Sequence, residues 1–211
     1  MSASDSAKLR TLLSLLDERY GMLTWWPGTP EEIIIGAVLT QQTRWKNVER
    51  GINELHHQGL CRLSALASSP LCRIEEAVQC TGFFRMKARR LQNLSRVIMD
   101  RFGGVEGMVD RSLSDLRTIL LSIDGVGEET ADSILCFALG RCSFIIDRYT
   151  ERICACAGIG SKGGALKDLV ESVVPHDLAT YRQAHSHFVE YAKEWCGKKR
   201  CEECAIVRLR G

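Results

Sequence analysis

What the chain lacks narrows the field before any motif is read. It has no apolar run long enough to cross a bilayer, and its N-terminus has no secretory hydrophobic region, so no membrane partner is expected. It lacks an excess of charge of either sign. The formal net charge is +2 over 211 residues, so a polyanion would have to be held by local basic patches and not by a general field. Convincing strand alternation, internal repeats and low-complexity linkers are missing too. Cysteine, by contrast, is abundant, with ten in the chain. Scattered through helical patterns behind no secretory leader, these read as reduced thiols of a cytoplasmic protein, with a metal group as one option, and not as a disulfide scaffold.

What is present is helical nearly throughout. A hydrophobic share of 45% over this length can fill one large domain or two small lobes. Leu9, Leu12, Leu13, Leu15 and Leu16 give a first helix one apolar face. Thr29-Pro30-Glu31-Glu32 is a compact start signal, with Thr29 as N-cap, Pro30 at the first helical position and Glu32 closing a capping box. Residues 33–39 then run apolar, as a buried helix does. Further helices are expected over 44–57, 73–80, 87–101, 113–122, 129–139, 149–157, 164–173 and 178–195, with glycines at 103, 104, 140 and 158–164 as punctuation. The expected fold is all-α.

Two features carry chemistry. In Ile123-Asp124-Gly125-Val126-Gly127-Glu128-Glu129-Thr130, two glycines one residue apart suit a tight hairpin whose second Gly opens a helix. Glycine can turn with positive φ and let a phosphate approach the backbone. The unpaired N–H groups of the next helix then face that phosphate, with the helix dipole behind them. Gly125, Val126, Gly127 and Thr130 are the expected DNA-contacting residues. Shortly after comes Asp147, an isolated carboxylate behind the apolar Phe144-Ile145-Ile146 run. An Asp before a helix is often just an N-cap, and capping and chemistry are compatible roles here.

The hairpin, the Asp about twenty residues beyond it and Leu39-Thr40-Gln41-Gln42-Thr43 together resemble the endonuclease III superfamily of helix-hairpin-helix DNA glycosylases, over almost the whole chain. The resemblance implies two helical lobes with a DNA-binding cleft between them. One would be a helical barrel domain over 26–139 that includes the hairpin, the other residues 1–25 plus 140–211 with a C-terminal Cys-rich loop. It implies that the protein acts on double-stranded DNA bearing a damaged or mismatched base, as a monomer, by swinging that base out of the stack. Gln42 matches the wedge that fills the gap, against the alternative of a capping or buried structural glutamine. Asp147 matches the essential aspartate, which stabilises positive charge at the anomeric carbon and orients the attacking water. Lyase-active members carry a Lys just after the hairpin whose amine attacks the sugar. Aligned on Gly125-Val126-Gly127, that position here is Glu129, and a carboxylate cannot form an imine. The chain is therefore expected to be a monofunctional glycosylase.

Glu129, the Trp25-Trp26-Pro27 run and Trp45 look like the 3-methyladenine glycosylases of this superfamily, in which aromatic residues sandwich the flipped base. An N3-alkylated adenine is cationic, and an indole face attracts a cation by about 0.5–2 kcal/mol. The expected substrate is thus an alkylated purine, with these tryptophans as core residues in the plainer reading. Rival readings are a mismatch glycosylase releasing adenine or thymine, with Glu32 or Glu129 as acid, a lyase-active endonuclease, and a non-catalytic helix-hairpin-helix module.

The C-terminal cysteines leave alternatives open. Many relatives carry four here, spaced six, two and five residues apart, around a [4Fe–4S] cluster. This chain has Cys196, Cys201 and Cys204, a first gap of four residues, and Arg210 in the fourth place. Another ligand such as Cys154 or Cys156 could complete a cluster. Zinc on the Cys-x-x-Cys pair and a degenerate loop without metal are the other readings, and no other cofactor is expected. Arg85, Lys87, Arg89 and Arg90 form a basic patch suited to DNA or simply to solvent, and the five histidines read as structural or exposed.

Overall fold

The computed structural model describes residues 3–24, 27–198 and 200–210. Among these residues there is no strand, and no helix is long and apolar enough to cross a membrane. The fold is all-α. In chain order the helices are α1 (Ala3–Tyr20), α2 (Pro30–Leu39), α3 (Trp45–His57), α4 (Leu63–Ser68), α5 (Leu71–Ala77), α6 (Phe84–Phe102), α7 (Leu113–Leu121), α8 (Glu128–Ser133), α9 (Arg148–Cys156), α10 (Gly163–Val173) and α11 (Leu178–Tyr191). Helix α8 runs on into a π-helical turn, Ile134–Ala138, and α11 into another, Ala192–Cys196. Such widened turns often accompany functional sites. Helix α4 was not anticipated from the pattern, because six residues are fewer than two turns and carry no readable period.

The chain divides into two compact units, one of Met1–Trp25 with Cys142–Gly211 and one of Trp26–Arg141. The second is built around α2. Its N-terminus forms as the sequence dictates: Thr29 Oγ1 accepts from the Glu32 N–H at 3.3 Å while Glu32 Oε2 accepts from the Thr29 N–H at 2.6 Å, with Pro30 just inside. From Ile33 to Leu39 every residue is buried. A helix apolar on all sides belongs at the centre of a core, and α3, α6, α8 and its π turn pack around it.

Lys87 lies inside this unit, not on its surface. Its side chain is wholly buried on α6, and Nζ donates to the Leu39 and Thr81 carbonyls, both at 2.8 Å. Burial pushes the amine down to about 8. The lysine thereby ties the end of α2 to the turn that precedes α6.

In the other unit Leu9, Leu12 and Leu16 are fully buried where α1 packs on α10 and α11, while Leu13 and Leu15 are half-buried. Phe144 anchors this unit by edge-on contacts with Tyr181, His185 and Phe188 of α11, at centroid distances of 5.6, 6.4 and 6.5 Å. Its N–H donates to Glu171 at 2.8 Å, and its carbonyl accepts from Lys167 at 2.5 Å. The strand-like approach to α9 is thus pinned by both backbone groups.

Removing the Lys87 amine strands two buried carbonyls. Lys87→Met should cost about 2–4 kcal/mol of stability, read as a lowered denaturation midpoint in urea.

Candidate functional site

The hairpin joins α7 to α8. Gly125 turns with φ +82°, and a Cβ there would fall 2.3–2.4 Å from the Arg90 side chain, so both conformation and space require glycine. Gly127 differs. It is the N-cap of α8 with an extended backbone, φ −88° and ψ 179°, and a Cβ there would meet nothing within 4 Å. Its own fold does not require glycine at that position. With no side chain, it also gives the first turn of α8 no internal cap. Val126 is buried beneath the turn with Ile123. Arg117 on α7 braces the pair of helices by a two-point contact with buried Asp132, at 2.9 and 3.2 Å.

The Gln-Gln-Thr segment supplies a brace and an exposed tip. Gln41 Oε1 accepts from Arg90 at 2.5 Å, and its Nε2 donates to the Gly125 carbonyl at 3.2 Å and to Thr130 Oγ1 at 3.1 Å. The segment after α2 is thus bolted to the hairpin. Thr130, expected on the DNA side, is buried with its hydroxyl turned inward to Gln41. Gln42 is exposed with φ +54°. Phe83 resembles it: 62% exposed, φ +47°, directly after Gly82. Among the described residues these are the only non-glycines with positive φ. Lys87 holds the carbonyls just ahead of both, at Leu39 and Thr81. Backbone strain of this kind gathers at sites that bind or act. Sequence reading missed Phe83, and its one signal was an exposed-prone aromatic behind a glycine.

Of the four cations of the expected basic patch, Arg85 and Arg89 are exposed, whereas Lys87 is buried and Arg90 is engaged with Gln41. Trp45 opens α3, half-buried against the unit's core, with its indole N–H donated to Glu49 at 2.9 Å. Pro27 is exposed outside any helix. Trp25 and Trp26 lie outside the described residues. Glu129 is exposed in the first turn of α8. Glu32 is committed to its capping box and to His56 at 2.6 Å, and the Thr29 N–H above all holds its carboxyl below the usual range. A carboxyl kept ionised in this way is not an acid for a base nitrogen.

Asp147 caps α9, and it is buried. Its Oδ1 accepts from the Thr150 N–H at 2.7 Å and from the Thr150 hydroxyl at 2.8 Å. Both bonds fall on one oxygen. Oδ2 takes none among the described residues, so the carboxylate is positioned by one atom while the other stays available. Buried His185 lies within its field, and its ring donates to the Ile145 carbonyl. Burial pushes the His185 pKa down, against the opposing pull of the Asp147 charge.

The C-terminal cysteines line one small cavity. Its walls include Cys196, Cys201 and Cys204, and also Cys156 from the end of α9. Tyr191 Oη lies 3.1 Å from Cys204 Sγ and stacks on Trp195, centroids 5.9 Å apart. Beside it, Glu194 accepts from Arg19 and from Tyr20, the latter at 2.7 Å, and the Arg19 contact above all holds its carboxyl down to about 2.

The chain matches the model of the HhH-GPD superfamily of base excision DNA repair proteins over residues 35–188. It belongs to that family. It is 40% identical over 202 residues, 92% of either chain, to a protein of Methanocaldococcus jannaschii named "Putative DNA repair glycosylase MJ1434". Among solved structures it resembles the H. pylori 3-methyladenine DNA glycosylase bound to 1,N6-ethenoadenine, at 26% identity and a TM-score of 0.75 over 90% of this chain and 97% of that one. An endonuclease III–DNA complex shares the fold, at 20% identity and a TM-score of 0.80 over 97% and 94%. The protein is thus a DNA glycosylase of base excision repair.

Two outcomes follow for this glycosylase. Gln41→Ala, which breaks a charged contact and two donations, should lose about 2–3 kcal/mol, whereas Gln42→Ala should stay within about 0.5 kcal/mol of the parent in the same denaturation assay. For His185, the unfolded ring takes its proton near its ordinary pKa and the folded ring only at lower pH. Stability is therefore full above about pH 6.5 and falls as pH drops through that value. The melting temperature should decline between about pH 7.5 and pH 5.5, and His185→Gln should flatten the decline.

Proposed function

We propose that this glycosylase is monofunctional and releases an alkylated purine, 3-methyladenine foremost, from duplex DNA. The observation that carries the first half is Glu129, an exposed carboxylate in the first turn of α8 at the position where a lyase needs an amine. Lys87 offers no substitute. It is fully buried, and two carbonyls occupy its amine. The likeness to a 3-methyladenine glycosylase and the aromatic run at 25, 26 and 45 with Pro27 support the second half.

In this reading the hairpin glycines admit a backbone phosphate to the start of α8, and Gln42 enters the gap left by the flipped base with Phe83 as a second, apolar wedge. The glycosidic C–N bond breaks with its electron pair leaving on the base, which neutralises a purine that was cationic. Positive charge at the anomeric carbon develops beside Asp147, whose unbonded Oδ2 stabilises it and takes a proton from water as the water oxygen bonds to that carbon. A cationic leaving group needs no acid, which suits a protein whose Glu32 is held ionised. The mismatch-type reading loses Glu32 by the same argument and would have to rest on Glu129 alone.

Asp147→Asn should keep the helix cap, since Asn caps as well as Asp, and retain DNA affinity while base release falls about 10²–10⁴-fold. Mass spectrometry of bases freed from methylated DNA should find 3-methyladenine, and borohydride should trap no covalent adduct. Release confined to A·8-oxoguanine or T·G duplexes sinks the substrate assignment, a trapped adduct sinks the monofunctional one, and unchanged base release by Asp147→Asn sinks the catalytic role of Asp147.

A further inference from the structure

The family's iron–sulfur pattern fails in this sequence at its fourth position, where Arg210 replaces cysteine, yet the fold brings a fourth thiol to the same place. Cys156 ends α9, forty residues before Cys196, and lines the cavity that Cys196, Cys201 and Cys204 enclose. We infer that Cys156 is the fourth thiolate of a four-cysteine iron–sulfur site in this protein, taking over from the absent tail cysteine.

Three observations fit the residues to that group. None of the four thiols is paired in a disulfide. Their spacing is wrong for one zinc ion: tetrahedral Zn–S bonds of about 2.3 Å set sulfurs about 3.8 Å apart, whereas no three of these sulfurs lie within 4.8 Å of one another. Four sulfurs spread at wider separations around one cavity suit a cluster of several irons instead. Finally, Trp195 lines the same cavity, and its indole N–H is buried with no hydrogen-bond partner. A buried donor without an acceptor costs stability, and a cluster sulfide would accept from it. The surrounding wall is stiff, because Trp195 is packed between Tyr191 and the guanidinium groups of Arg19 and Arg200, at 5.4 and 4.9 Å. Cys154, two residues earlier on α9, is fully buried and does not line the cavity. A ligand's role falls to Cys156 alone on that helix. When bound, a cluster of this kind supplies a structural clamp and, where its potential permits, one-electron chemistry.

The full-length protein, reconstituted anaerobically with ferrous iron and sulfide, should take up about four irons and four sulfides per chain and show a thiolate-to-iron charge-transfer band. Cys156→Ser should lose at least half of the iron and alter that band, while Cys154→Ala keeps both. Because Cys156→Ser could fail to fold, thiol alkylation of the unmutated protein gives an independent reading. Cys156, Cys196, Cys201 and Cys204 should all be protected from iodoacetamide when loaded and all become reactive after chelation. Full iron retention by Cys156→Ser overturns the inference. So does alkylation of Cys156 in loaded protein whose other three cysteines are protected, or uptake of zinc or nothing in place of iron by the unmutated chain.

Discussion

The carboxamide of Gln41 is the joint on which the hairpin-bearing unit depends. A primary amide has one acceptor and two donors, and here all are used: Arg90 on the oxygen, the Gly125 carbonyl and the Thr130 hydroxyl on the nitrogen. No smaller side chain can satisfy three partners on three different elements, and neither a carboxylate nor an ammonium has the mixed polarity. Because Arg90 also fills the space against Gly125, the guanidinium, the amide and the glycine turn fix one another. The hairpin's shape is therefore not a property of its own few residues. It is set by a segment more than eighty positions earlier.

Polar groups in this protein sort by how completely they are used. Gln41 and Lys87 are spent on the fold, with every donor they bring to the interior engaged or buried. Next to each stands a residue in the opposite condition. Gln42 and Phe83 are held out in left-handed backbone conformations, and that strain persists only because the buried neighbours over-determine the loops. Asp147 divides the two conditions within one side chain, one oxygen given to the helix cap and one left over. A fully satisfied carboxylate would be structural, and an unanchored one would wander. In the half-used state Thr150 orients the carboxylate through one oxygen and leaves the other unbonded among the described residues.

The same distinction explains what could be read from the sequence. Elements whose cause is local were legible: the Thr29 capping box, the apolar run of α2 and the Asp147 cap each follow from neighbours within four positions. Residues whose role depends on distant partners were not. Gln41 and Gln42 are identical letters side by side, and only the approach of Arg90 and Thr130 separates brace from tip. Lys87 looked like one cation among four, because nothing within its own helix reveals that the Leu39 and Thr81 carbonyls converge on it. Thr130 looked like a surface contact, although the same Gln41 amide draws it inward. Of the conjectured ligands Cys154 and Cys156, two residues apart on a helix, rotation by about 200° puts one in the core and the other at the cavity, but which is which depends on where α11 packs.

That last pair gives α9 an unusual position in the molecule. It is a nine-residue helix, about 13 Å long, with Asp147 as its N-cap and Cys156 as its final residue. In the family pattern the fourth thiolate follows the third by a few residues, at the place of Arg210 here, and is not on the aspartate's helix. With Cys156 as ligand, the metal site and the carboxylate are the two ends of one rigid rod, whose other face is pinned through Ile153 and Cys154 in the core. A rod held at its far end has less freedom to tilt at its near end. Among the described residues only Thr150 otherwise fixes the Asp147 oxygen, so orientation of the helix bears on orientation of the carboxylate. If Cys156 holds the cluster as inferred, the metal site would help to hold the helix that carries Asp147.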